Sequence, residues 1–237
     1  MKTMQWKNNL LFRSGWSGAI VNREAKKGVA RKLAERAKNG DTIGAGSGST
    51  VYLTIQALGE RIREENLHIT VIPASIESAM ACLQFGIPQT TLWEKRPDWT
   101  FDGADEIDGE HNLLKGRGGA LFKEKLLIRS SKEVCIVADK SKFVSRLGVK
   151  FPVPVEVFPD ALTYVENKIR QLGATEIVLR PAKGKDGPVI TENNNLILDV
   201  RFEQVSADLE TEIKAITGVI ENGLFIGYPL EIISSDQ

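Results

Sequence analysis

Residues 41–50, DTIGAGSGST, set the reading of this chain. DTIGAG (41–46) reads as a short strand that runs into a tight glycine turn, and a helix follows over 49–64. Val51, Ile55, Leu58 and Ile62 recur on one face of that helix, which is the period of an element packed on a sheet. Glycines in such a turn allow backbone amides to approach an anion closely. The helix N-terminus adds unpaired N–H groups and partial positive charge, and Ser47, Ser49 and Thr50 add hydroxyl donors suited to phosphate oxygens. The turn is not a Walker A loop, because no lysine follows a final glycine. It also departs from the dinucleotide fingerprint, since Ser49 stands where the third glycine belongs. A plain strand-to-helix turn is the competing reading.

Outward from this unit the same alternation continues. Residues 22–40 read as a helix capped by Asn22 and stopped by Gly40, with Val29, Ala30, Leu33, Ala34 and Ala37 as its stripe. HITVIPA, TTLW, WTFDGA and EVCIVAD read as strands. Helices are expected through Ile76–Phe85, closed by Gly86, and near 119–130. Short apolar strands alternating with helices imply an α/β fold, a mostly parallel sheet covered on both faces. The style changes at FPVPVEVFP (151–159), where the two prolines before the glutamate suit an interdomain passage. Beyond it the order is strand (153–157), helix (160–172), strand (176–180), a hairpin around Asn193–Asn195, helix (206–217) and strand (219–226). Three asparagines suit a turn that needs positive φ, and the order fits a smaller α+β unit of the split βαβ kind. The tail LFIGYPLEII is apolar enough to rejoin the first sheet. The expected division is therefore 1–150, with a return over about 224–237, and 151–223.

Composition narrows the function classes. The 237 residues are 42% hydrophobic and 26% charged, and 31 Lys plus Arg balance 31 Asp plus Glu. A neutral chain has no bulk electrostatic drive toward nucleic acid or an anionic membrane, so any anion must be met by a local site. No apolar run approaches the roughly 20 residues needed to span a bilayer. Cys82 and Cys135 lie in apolar surroundings without metal-type spacing, which favours buried free thiols and a reducing, cytoplasmic compartment. Residues 1–21 hold Lys2, Lys7 and Arg13 and no acid before Glu24. That is faintly transit-like, but a plain N-terminal extension is the expectation.

Three further segments carry candidate chemistry. DGADEID (102–108) crowds Asp102, Asp105, Glu106 and Asp108, and like charges so close raise at least one pKa unless cations compensate. A solvated acidic loop is the alternative; a calcium loop fits poorly, because the alternating aspartates are absent. The segment follows the strand-like WTF, and ligands in open α/β sheets collect at the carboxyl ends of strands. KGRGG (115–119) offers Lys115 and Arg117 among glycines, either an anion-holding loop or a basic surface turn. In GALFKEKLLI, Glu124 has Ala120, Leu121, Leu127 and Ile128 as helical neighbours. A carboxylate among apolar groups has the raised pKa that a general base near neutrality needs. Lys125 has similar surroundings, and an ordinary surface glutamate stays open. His68 and His111 are isolated, which gives no support to a histidine triad or a zinc site.

The ordered set GAGSGST, DGADEID, KGRGGA, FKEK and VADKSK, with PVEVFP and VITENNNLILDV beyond it, resembles the ribose-5-phosphate isomerase A family from about residue 22 to the C-terminal strand. The resemblance implies a Rossmann-like domain with a smaller ferredoxin-like domain, a homodimer or homotetramer, and no metal or organic cofactor. It implies interconversion of ribose 5-phosphate and ribulose 5-phosphate through an enediolate. Carried over by position, Glu124 matches the general base and Lys115 the cation facing the developing oxyanion. Asp102 and Asp105 match carboxylates at sugar hydroxyls and ring opening. Ser47, Gly48, Ser49 and Thr50 match the phosphate loop, Lys142 and Lys26 lysines near the substrate, and Gly103, Ala104, Gly116, Arg117 and Gly118 further substrate contacts. Two departures stand out: Arg117 occupies a position often glycine in the family, and residues 74–85, ASIESAMACLQF, follow the pattern loosely. Both leave room for an altered sugar preference. The alternative functions are a non-catalytic sugar-phosphate sensor, an isomerase of a related sugar phosphate, and a coenzyme A transferase-like enzyme with a glutamate nucleophile.

Overall fold

The structure, a computed structural model, describes Leu10, Trp16 and residues 19–234. Lys2, Lys7 and Arg13, on which the reading of the N-terminal extension rests, lie outside the described residues.

Helix α1 (Arg23–Glu35) buries Val29, Ala30, Leu33 and Ala34. It is shorter than the 22–40 expected. Asn22 takes the left-handed conformation (φ 55°) and its side chain caps nothing. At the other end the Asp41 carboxylate takes the Lys38 N–H at 2.9 Å and diverts the chain into β1 (Thr42–Ala45). Helix α2 (Ser49–Glu65) and strand β2 (Thr70–Pro73) follow as expected. So does α3 (Ile76–Phe85), which Ser75 caps at its start and Gly86, in the left-handed region, ends. TTLW is not a strand. The Glu94 and Lys95 N–H groups both bond back to Thr91 O (3.1 and 3.0 Å), and Thr90 Oγ1 donates to Glu94 Oε2 (2.7 Å), so local bonds close a turn.

Strands β3 (Trp99–Gly103), β4 (Glu106–Ile107) and β5 (Leu113–Leu114) precede α4 (Leu121–Ser130) and β6 (Glu133–Ala138). Then come β7 (Val153–Val157), α5 (Leu162–Gln171), β8 (Ala174–Leu179), β9 (Leu196–Phe202), α6 (Leu209–Lys214), β10 (Val219–Asn222), β11 (Leu224–Phe225) and β12 (Glu231–Ser234). The first sheet has the order β12-β6-β3-β1-β2, and every neighbouring pair is parallel. The second, β10-β7-β9-β8, is antiparallel throughout. In its own numbering that order is 4-1-3-2, with one helix after the first strand and one after the third. The fold is thus a Rossmann-like parallel sheet joined to a smaller ferredoxin-like sheet. As the tail's composition predicts, β12 returns to pair with β6.

Each sheet has its own apolar interior. Leu33, Ile43, Ile55, Leu58, Val71 and Phe101 pack around the parallel sheet, and Val155, Val157, Val165, Ile169, Val200 and Ile213 around the other. Burying one such aliphatic side chain stabilises the fold by roughly 1.5–3 kcal/mol over leaving it exposed.

The single strand expected at 219–226 is broken at Gly223, and the break has a steric cause. A Cβ there would lie 2.2 Å from Lys115 O and 2.6 Å from Pro154 Cγ. Only glycine lets the backbone pass so close. Lys115 N–H donates to Gly223 O at 2.9 Å, and Gly223 N–H donates to Pro154 O at 2.8 Å. Crossing there, the chain leaves the antiparallel sheet as β10 and joins β5 and β4 as β11 in a third, small sheet. This seam fixes Lys115 between the two main sheets. The asparagine turn also differs in detail: Asn194 does take positive φ (61°), but it ends a long connection between β8 and β9 rather than closing a tight hairpin.

Candidate active site

The carboxyl ends of the adjacent strands β1, β3 and β6 open on one cleft of about 290 Å³. From β1 comes the turn Ser47, Gly48, Ser49 and Thr50; from β3 come Gly103, Ala104 and Asp105. The segment Lys115, Gly116, Arg117 and Gly118, with Glu124 of α4, forms another wall, and Lys26 and Lys142 complete the set. The residues singled out in the sequence therefore meet in one place. Of the residues carried over by position, Asp102 alone does not line the cleft and sits buried behind it; Glu106 and Asp108 of the acidic run lie outside the cleft as well.

The glycines of the turn serve different ends. Gly48 has φ 104° and ψ 179°, a positive-φ conformation open mainly to glycine, at the start of α2. Gly46 is needed for space instead, since a Cβ there would lie 1.9 Å from Asp102 Cγ. In α2 the Tyr52 N–H is the first to bond back, to Gly48 O at 2.9 Å. The N–H groups of the first turn are thus left for an anion, as at any helix start. The Ser47 hydroxyl oxygen is buried with no hydrogen-bond partner among the described residues. Lys26 Nζ donates to Ser49 Oγ at 3.2 Å, so a cation stands at the same turn. Hydroxyls, helix amides and an ammonium at this end of the cleft are groups that can hold an anion.

The other end is a buried ion cluster. Lys115 Nζ lies 2.8 Å from Asp102 Oδ2 and 3.2 Å from Glu124 Oε2, and it donates to Gly103 O at 2.6 Å. Asp102 Oδ1 accepts from Gly103 N (2.7 Å) and Ser47 N (3.2 Å), which locks it under the glycine turn. Lys115, Asp102 and Glu124 are all at most 5% exposed, so their charges act on one another with little screening. Burial works against the Lys115 ammonium, but Asp102, Glu124 and Asp105 outweigh it and hold its pKa above the ordinary value. Burial and the charge of Asp102 push Glu124 up to about 7, against the pull of Lys115. A carboxylate in that range can take and return a proton near neutrality. The lysine beside it stays cationic, a charge of the kind that can stabilise an oxyanion.

Adjacent residues of α4 part company here. Lys125, which the sequence leaves level with Glu124, turns away from the cleft. Its Nζ donates to Glu210 (2.9 Å), Glu221 (3.1 Å) and Leu224 O (2.7 Å), tying the helix to α6 and the β10–β11 seam. Arg117 is exposed, with its guanidinium 4.3 Å from the centre of the Phe151 ring and its backbone N–H donating to Asp105 Oδ2 at 3.2 Å. Val137, Ala138 and Asp139 line the cleft and were missed by sequence reasoning, and of these Asp139 is the charged one. Burial would raise its pKa, but hydrogen bonds from Ser141 and the charges of Lys142 and Lys26 bring it below the ordinary value. Its position at the carboxyl end of β6 was the available signal. Among the described residues no group of three or more His, Cys, Asp or Glu is placed to hold a metal ion.

Comparison with known proteins agrees with this geometry. Residues 70–237 match the family described as ribose 5-phosphate isomerase A (phosphoriboisomerase A). Ribose-5-phosphate isomerase A of Archaeoglobus fulgidus is 43% identical over 209 residues, covering 86% of this chain and 92% of its own. The solved structure of ribose 5-phosphate isomerase A from Methanocaldococcus jannaschii superposes with a TM-score of 0.86 at 42% identity, over 90% of this chain and 95% of that one. A D-ribose-5-phosphate isomerase solved in complex with phospho-erythronic acid superposes with a TM-score of 0.85 at 35% identity, over 90% and 94%. The chain belongs to the ribose 5-phosphate isomerase A family.

Proposed function

We propose that this protein interconverts ribose 5-phosphate and ribulose 5-phosphate, an aldose–ketose isomerisation of the non-oxidative pentose phosphate pathway, with Glu124 as its general base. The observation that carries the proposal is a neutral-range carboxyl and a buried ammonium, 3.2 Å apart, in the same cleft as an anion-binding turn. Glu124 takes the proton from C2 of the open-chain aldose. The electron pair moves toward the carbonyl oxygen, where Lys115 meets the negative charge of the enediolate. Glu124 then returns its proton at C1, while the O2 proton passes to O1, giving the ketose. One base serves both carbons, so the proton need not leave the site. Phosphate held by Ser47–Thr50 and Lys26 keeps the reacting carbons in register, binding energy used for orientation.

Asp105, half-buried at the cleft wall, is suited to the sugar hydroxyls and to ring opening. Asp102 reaches the reaction through Lys115, whose position it fixes. Lys142 and Asp139 form the remaining charged wall, and Gly103, Ala104, Gly116 and Gly118 let substrate approach the backbone closely. Cleft-lining Arg117 adds a cation to that loop, which bears on how strictly a five-carbon sugar is required. The one phosphorylated compound among the structures above, phospho-erythronic acid, is bound by a relative with this same fold.

The same proposal includes two domains, 1–150 with the 224–237 return and 151–223, supported by the two separate sheets and cores. It includes a homodimer or homotetramer, supported by the exposed Ile76, Met80 and Leu83 on one face of α3. A reducing cytoplasm is supported by the buried free thiols of Cys82 and Cys135. Among the described residues no helix is long and apolar enough to cross a membrane.

Incubating the purified protein with ribose 5-phosphate and following ribulose 5-phosphate tests the reading. Turnover without added metal is expected. Binding without turnover would indicate a sensor, and a trapped acyl adduct on Glu124 a transferase.

A further inference from the structure

The Lys115–Gly118 segment is held from outside the cleft by a side chain to which nothing above gives a role. Arg180, just past the end of β8, donates from Nη1 to Gly116 O (3.0 Å) and Arg117 O (3.1 Å). Its remaining face forms a two-point pair with Asp199 of β9, Nε to Oδ2 at 2.9 Å and Nη2 to Oδ1 at 2.5 Å. The antiparallel sheet thus reaches across with a guanidinium whose orientation a carboxylate fixes on both sides. Such a planar fork satisfies several acceptors at once, which an ammonium cannot do.

A trans peptide directs its C=O and N–H to opposite sides. With the carbonyls of 116 and 117 turned to Arg180, the N–H groups of 117 and 118 must face away from it. The first donates to Asp105 Oδ2 at 3.2 Å; the second belongs to a residue that lines the cleft. Gly116, at φ 104°, is a joint about which these peptides would otherwise reorient. We propose that Arg180, oriented by Asp199, is a positioning residue for the isomerisation: it sets the 116–118 peptides, and through them Asp105, in the arrangement that the sugar end of the cleft requires.

This inference rests on the isomerase reading, and the test keeps the two apart. The full chain is compared with Arg180→Met, Arg180→Ala and Asp199→Asn for kcat, KM, melting temperature and the inhibition constant of inorganic phosphate. Parental turnover of ribose 5-phosphate checks the isomerase reading itself, and its absence would end both. Given parental turnover, Arg180→Met is expected to lose about 10- to 10²-fold in kcat, the scale of a displaced catalytic group. Phosphate inhibition should stay within about twofold, because Ser47–Thr50 and Lys26 are untouched. Guanidinium ion at millimolar concentration should restore part of the rate to Arg180→Ala, and Asp199→Asn should show a smaller loss of the same kind. Parental kcat in Arg180→Met overturns the proposal. A kcat loss matched by equal loss of phosphate inhibition, with no guanidinium rescue, overturns it too, since that is the pattern of general unfolding.

Discussion

Lys115 Nζ stands 3.2 Å from Glu124 Oε2, at the end of a row in which Asp102 Oδ2 is the ammonium's nearer partner at 2.8 Å. Two buried carboxylates share one cation. Glu124 is lifted to about 7, by burial first and by the negative charge of Asp102 second. Sharing of this kind yields a group that exchanges a proton at neutral pH without a histidine.

The first prediction is the acid limb of the rate profile. A base must be deprotonated to act, so kcat/KM should fall about tenfold per pH unit below about pH 7 as Glu124 takes its proton. A limb near the ordinary carboxyl value of 4.5 would contradict the shift. Lys115→Met removes the charge that holds Glu124 down, so that limb should move to higher pH while kcat drops at least about 10²-fold.

Gly46→Ala tests the packing beneath the turn. Its Cβ would fall 1.9 Å from Asp102 Cγ, displacing the carboxylate that fixes Lys115. Turnover should drop at least about tenfold. Gly109→Ala, which meets no atom within 4 Å, is the control and should retain parental turnover.

Much of this site was legible in the sequence because its residues cluster in short runs at strand ends. DTIGAGSGST, WTFDGAD and the lysine–glycine segment declare themselves by glycines and charges that regular elements do not need. Gly46 was legible as a glycine but not for its reason, since contact with Asp102 depends on how β1 and β3 pair. The same limit hid the contrast between Glu124 and Lys125, whose local surroundings are alike. What separates them is Glu210 and Glu221, far along the chain and brought in by the turn at Gly223. Arg180 and Asp199 escaped notice for that reason too. TTLW misled because β-branched and aromatic residues favour strands, whereas the bonds to Thr90 and Thr91 that close the turn are set by the following Glu94.

Ser49→Ala should raise KM more than it lowers kcat, because the proposed substrate pose sets its hydroxyl at the phosphate rather than at the reacting carbons. Lys26→Met should do likewise, and the two effects should add to less than their sum, since Lys26 Nζ donates to Ser49 Oγ at 3.2 Å. Unchanged KM in both variants would remove the phosphate from this turn.

Lys125→Met should act on stability. The change leaves Glu210 facing the buried stem without an ammonium and Glu221 with only Lys214 at 3.5 Å, and breaking a buried pair typically costs about 3–5 kcal/mol. Denaturant unfolding reads this directly. A loss under about 1 kcal/mol would mean that the network contributes little to holding α4.

The measurement closest to the central claim is the turnover of Glu124→Gln beside its inhibition by inorganic phosphate. Glutamine keeps the shape and cannot accept the C2 proton, so kcat should fall at least about 10²-fold. The phosphate inhibition constant should stay within about twofold of the parent, because the anion site is unaltered. Turnover near the parental rate would contradict the assignment of the base, and with it the account of this cleft.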